Sequence, residues 1–307
     1  LDDTSGLGTL AAVGVSFLFA IATNRMLRIQ GWYEKSGRKE PDLLGLLDLV
    51  ALGTVCDVVP LVGLNRAFVT QGLKVMAKRR NPGLVALADV ARVDSRLTEY
   101  HAGFLLGPRV NAGGRVGEAP IGARLLMTQD PSQAAELARR LDEWNNERRE
   151  IEAMVLEQAM AQAEADAGDA ALIVVAGEGW HAGVIGIVAG RLKERFNRPA
   201  FVIGFEGDMG KGSGRSVEGV DLGSAVIAAR QAGLLVNGGG HKMAAGLTVA
   251  EPKIEAAMER LGEMLAKQGA ADIGRGVGMS SMRVAMAPAA TRLRWMASAP
   301  PETISRP

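Results

Sequence analysis

One uninterrupted amphipathic stretch, residues 131–167, constrains this chain more than any other feature. Leu137, Leu141, Trp144, Arg148, Ile151, Val155, Gln158 and Gln162 recur at alternating spacings of four and three, which is one face of a helix. Asp130 can cap it, Pro131 takes the first helical position and Gln133 can complete a capping box. At roughly 1.5 Å per residue the helix is on the order of 50 Å long. Its stripe is mostly apolar as far as Val155 and polar beyond. A two-stranded coiled coil is the rival reading, but Arg148, Gln158 and Gln162 interrupt the seam. The expectation is a helix bridging two domains, about the number that 307 residues provide for.

The text differs on the two sides of this helix. Before it, the apolar stretch from Leu10 to Thr23 is interrupted by Ser16 and followed by Asn24, Arg25 and Arg28. It falls short of the roughly 20 apolar residues of a membrane span, so residues 7–29 read as a buried helix with Gly31 as its stop. A polar loop over 34–42 and an apolar run over 43–64 follow, the run broken by Asp48, Asp57 and Pro60. Residues 65–79 form an amphipathic helix with Phe68, Leu73 and Met76 inward; Asn81-Pro82-Gly83 is a turn before a short helix over 83–90. After Gly168 the pattern becomes α/β. Strands are expected over 171–176, 200–205 and 247–249, and helices over 183–196, 221–232 and 252–267. Beyond Asp272 periodicity is lost, and 269–307 reads as an irregular or disordered tail.

Composition narrows the function. The 35 basic and 34 acidic residues leave a net charge of +1, so any hold on nucleic acid must come from local patches. A single cysteine, Cys56, excludes an internal disulfide and fits a reducing cytoplasm, where no targeting segment sends the chain elsewhere. Three histidines and one cysteine exclude a zinc finger. Aromatic residues, at 4%, are too few for extended base-stacking platforms.

Five places could carry chemistry. Asp57, between valines in Gly53–Pro60, is costly to bury unless it is paired or holds a metal; the alternative is a turn or helix cap before Pro60. The segment Gly107–Arg115 brings Arg109, Asn111 and Arg115 together with glycines that admit an anion, against the reading of an ordinary surface loop. His181 sits between a strand and a helix whose free amides would face an anion, and capping that helix is the simpler role. Lys211–Ser216 surrounds Arg215 with Ser213, Gly214 and Ser216 ahead of a helix, a ready phosphate cradle. Gly238, Gly239 and Gly240, followed by His241, are a costly choice for a mere turn and point to close approach of a ligand.

Taken in order, Asp48–Leu61, Gly107–Arg115, Trp180–Ile187, Gly212–Ser216 and Gly238–Gly246 resemble the RecJ-type exonucleases of the DHH phosphoesterase superfamily, over about residues 1–268. The resemblance implies a 5′→3′ exonuclease of single-stranded DNA in repair and recombination, using two manganese or magnesium ions. It also implies a helicase or single-strand-binding protein as a possible partner, and no membrane. By that resemblance Asp57 is the last metal-binding and catalytic aspartate of the first domain. Arg109, Asn111 and Arg115 flank the substrate, while His181, Ser213–Ser216 and Gly238–His241 grip the phosphate backbone.

The fold expected is α/β: the rear part of a DHH phosphoesterase domain over 1–130, a connecting helix over 131–168, and a DHH-associated substrate-binding domain over 169–268. The namesake Asp-His-His and the earlier aspartate motifs do not occur, nor does a recognisable C-terminal oligonucleotide-binding barrel. The chain is therefore expected to be an N-terminally truncated fragment, inactive alone. The competing readings are a DHH-type oligoribonuclease or nucleotide phosphatase, and a non-catalytic nucleic-acid-binding remnant.

Overall fold

A computed structural model describes residues 4–166, 170–270 and 285–286. Its contacts divide the chain into two compact units, 1–148 and 149–307, with the break inside the long helix.

Among the described residues of the first unit, every regular element is a helix. Helices α1 (Ala12–Ile29), α2 (Trp32–Ser36), α3 (Leu47–Cys56), α4 (Gly63–Met76), α5 (Pro82–Val90), α6 (Gly107–Val116) and α7 (Pro120–Met127) precede α8 (Pro131–Asp166), and a π-helical turn, His101–Leu106, leads into α6. Asn81 is a helix cap rather than part of a free turn: its Oδ1 accepts the Leu84 amide at 3.0 Å. Leu52, Leu87, Leu106, Ile121 and Leu125 join Leu137 and Leu141 of α8 in the main core. A smaller cluster joins Phe17, Leu47, Val50 and Phe68, with the Phe17 and Phe68 rings edge to face at 5.5 Å.

The expectation that residues 7–29 are buried is overturned. Only Gly14, Phe17 and Asn24 of α1 are buried, while Val15, Phe19, Met26 and Ile29 are exposed on one side. By length and composition α1 could span a membrane, yet Asn24 ties it to the unit by donating to Glu40 and accepting from Tyr33. Apolarity alone did not reveal which face would be covered.

The second unit is a six-stranded mixed sheet in the order β4-β5-β3-β2-β1-β6. Its elements are β1 (Ile173–Glu178), α9 (Ala182–Phe196), β2 (Ala200–Glu206), β3 (Met209–Arg215), α10 (Leu222–Gln231), β4 (Asn237–His241), β5 (Ala244–Ala250), α11 (Ile254–Lys267) and β6 (Ala285–Met286). β1 runs parallel to β2 and β6; the remaining pairs are antiparallel. The short β6 falls within the stretch expected to be irregular, most of which lies outside the described residues.

Alternation assigns the two faces. Val174, Phe201, Ile203, Leu247 and Val249 meet α10 and α11 in one core. Ile173, Val175, Ala200 and Val202 meet α9 in the other, joined by Val155, Ala159 and Ala163 of α8. The polar end of the α8 stripe has a structural role there: Gln158 accepts from the Trp180 indole at 2.8 Å, and Gln162 accepts the Ala176 amide at 3.2 Å.

Candidate nucleic-acid interface

Asp57 is the C-cap of α3 and is exposed. The buried carboxylate of this segment is Asp48, 3% exposed, whose Oδ1 accepts the Leu49 amide at 2.8 Å. The sequence argument for burial therefore belongs to Asp48, because α3 turns Asp57 outward at its last turn. Val58 beside it holds φ at +58°, strained for a β-branched residue. Asn65 pins the following turn by donating to Pro60 O at 3.0 Å.

The C-terminal end of α3 packs on the π-helical turn and α6. A Cβ on Gly107 would lie 2.4 Å from Cys56 Sγ, so the bare backbone there is what admits Cys56. Burial, and then the charge of Asp57, push the Cys56 thiol up to about 11. This packing brings Asp57 to the element carrying the arginines.

Gly107–Arg115 is not a loop. It lies in α6, where Gly107 and Gly113 serve packing, a Cβ on Gly113 lying 2.7 Å from Glu118 O, while a Cβ on Gly114 would meet nothing. Arg109 is engaged within the protein, donating through Nε to Asp142 at 2.7 Å and through Nη1 to Leu105 O at 2.8 Å. Asn111 and Arg115, one helical turn apart, are the exposed pair.

In the second unit His181 caps α9, its Nδ1 accepting the Gly183 amide at 3.0 Å. The imidazole proton thus sits on Nε2 in the neutral ring. The amides of Val184 and Ile185 go to His181 O, so the first turn of α9 is not the open anion site expected.

Lys211–Arg215 is likewise no cradle loop but the body of β3. Its two-residue period sends Gly210, Gly212 and Gly214 to the inner core, where a Cβ on Gly214 would lie 2.5 Å from the Phe201 ring. Lys211, Ser213 and Arg215 face the other way. Ser216 is buried and structural, its hydroxyl donating to Val220 O at 2.8 Å and its amide to Met243 O at 2.9 Å. Gly214 and Ser216 are therefore withdrawn as substrate contacts.

Gly238–Gly246 forms the β4–β5 hairpin rather than a loop. Gly238 and Gly240 are bare for packing: their Cβ atoms would lie 2.8 Å from Val226 Cγ1 and 2.4 Å from Ala244 O. Gly239 is different, since a Cβ there would meet nothing. Register sets Ser213, Gly246 and Gly239 in one row across the sheet, and Arg215, Ala244 and His241 in the next. Lys211, Thr248 and Asn237 make a third. Arg215 forms no ion pair among the described residues, its Nη1 donating to Ser213 Oγ at 3.2 Å and Gly214 O at 2.9 Å. Burial lowers its pKa, and no carboxylate offsets that cost.

The sequence does not show that Lys211, Gly246 and Thr248 share a sheet face with Ser213 and Arg215, because the glycines around them read as loop formers. The Lys-Gly-Ser-Gly-Arg alternation was the available sign of a strand with one polar face.

Among the described residues no three His, Cys, Asp or Glu side chains converge as a metal would require. Asp57 suits a hard cation as one carboxylate ligand and no more.

Residues 168–267 match the family described as the DHHA1 domain. The class of protein defined by fold and sequence is thus one in which a DHHA1 domain follows a helical unit. In particular, the chain is homologous to the single-stranded-DNA-specific exonuclease RecJ. It is 42% identical over 265 residues to RecJ of Dickeya dadantii, covering 83% of this chain and 46% of that one. It is 40% identical over 267 residues to RecJ of Escherichia coli, covering 84% and 46%. The crystal structure of Thermus thermophilus RecJ in complex with Mg2+ superposes with a TM-score of 0.66 at 34% identity, covering 83% of this chain and 38% of that one. The chain spans about half the length of these curated relatives.

Proposed function

We propose that this chain is the strand-gripping part of a 5′→3′ single-stranded-DNA exonuclease acting in repair and recombination in the cytoplasm. The observation that carries the reading is the pair Ser213 and Arg215 on one face of β3, with His241 in the Arg215 row two strands away on β4, across Ala244 of β5. It offers a half-buried cation without a carboxylate, together with hydroxyl and imidazole donors, on the sheet face that α9 borders. A phosphodiester supplies the missing charge and accepts those donors. Asn111 and Arg115 add a second basic contact on α6.

Asp57 is proposed as one ligand of a manganese or magnesium ion, the ions with which Thermus thermophilus RecJ is crystallised. A two-ion phosphodiesterase site needs several such ligands. The chain alone is accordingly expected to bind strands without cutting them. A helicase or single-strand-binding protein is the partner class that would present the strand.

Arg215→Ala tests the grip. In anisotropy titrations with single-stranded oligonucleotides it should weaken binding uniformly across sequences and reduce the salt slope by about one. Unchanged affinity and slope in a folded variant would remove the assignment.

A further inference from the structure

We infer that Gly186, in the interior of α9, is a positioning residue that sets the geometry of the Ser213–Arg215 grip; this rests on the phosphate reading above. A glycine inside a helix is a poor helix former and persists for a reason. On α9 the reason differs by position. A Cβ on Gly190 would meet nothing. A Cβ on Gly186 would lie 2.9 Å from Arg215 Nη2 and 2.9 Å from Ser213 Oγ, closer than carbon approaches either group. The bare backbone of α9 is thus the wall against which both donors are set.

The consequence is directional. Arg215 Nη1 is already spent on Ser213 Oγ and Gly214 O. That leaves Nη2 and Nε for a ligand, and α9 at Gly186 decides where Nη2 lies. A methyl group there pushes the guanidinium outward and turns the Ser213 hydroxyl, so the two donors no longer converge on one anion. The charge stays and the arrangement goes. Gly186 itself touches no ligand.

The test is a cycle on the whole 307-residue chain, with anisotropy on a single-stranded oligonucleotide and thermal melting as readouts. Gly186→Ala should bind about tenfold more weakly, the size of a lost hydrogen bond to a charged group, while melting no lower than wild type. Combined with Ser213→Ala and Arg215→Ala, it should cost nothing further, because the groups it acts through are gone. Gly190→Ala, one turn along the helix, should bind like wild type. An equal loss on both backgrounds, an unchanged affinity for Gly186→Ala, or a melting loss that persists without Ser213 and Arg215 would each overturn the inference. If the Ser213→Ala, Arg215→Ala pair binds like wild type, the phosphate reading itself falls and the positioning role falls with it. If that pair loses binding and Gly186→Ala does not, only the positioning role is lost.

Discussion

Single residues carry opposite jobs within a few positions of one another. In the Gly238–Gly240 run, Gly240→Ala should destabilise by about 1–3 kcal/mol, since its Cβ would meet Ala244 O at 2.4 Å. Gly239→Ala meets nothing and lies outside the left-handed region, so melting should hold or rise while single-strand binding falls. Melting and anisotropy on the two variants separate packing from ligand approach; equal behaviour would contradict the division. Asp48 gives a pH test. Burial raises its pKa against the opposing Leu49 amide, so the folded state holds the proton more tightly than the unfolded chain. Its contribution is full below the ordinary carboxyl range, about pH 3.9, and is lost as pH rises through the raised native value. Asp48→Asn should therefore melt above wild type at neutral pH, with the difference closing toward pH 4. A constant difference across that range would show that the charge is irrelevant. The two aspartates also mark what the sequence could not reveal: both interrupt one apolar run, and only the turn of α3 decides which is buried.

At the scale of elements, hydrophobic period was legible and glycine was not. The long helix, α9 with its Asn197 stop, α10 and α11 follow from caps and spacing, because side-chain burial drives them. β3 and β4 were read as loops since glycine has low strand propensity, yet here glycine lets strands approach helices and rings. The same confusion turned α6 into a loop. The polar end of the α8 stripe, which argued against a coiled coil, finds its reason in hydrogen bonds to β1 and Trp180. Gln158→Leu should leave the indole N–H of Trp180, a residue 6% exposed, without its acceptor. The expected loss is about 1–3 kcal/mol in denaturant melts, with no change in oligonucleotide affinity. A neutral stability effect would mean that the bond adds nothing to the α8 packing.

At the scale of the whole molecule, the function proposed above is that the chain holds a DNA strand and contributes one carboxylate to a metal centre. The order of motifs made the likeness to RecJ legible in the sequence; the placement of individual residues was not, because Gly214 and Ser216 turn inward and Arg109 is engaged by Asp142. The most direct measurement is release of nucleotides from 5′-labelled single strands in manganese. It compares this chain alone with this chain joined to the part of the Dickeya dadantii relative that it does not cover. The account predicts no release by the 307 residues alone and manganese-dependent release by the joined protein, abolished by Asp57→Ala. Manganese-dependent release by the purified chain itself, lost in Asp57→Ala, or full activity of the joined protein without Asp57, would contradict it.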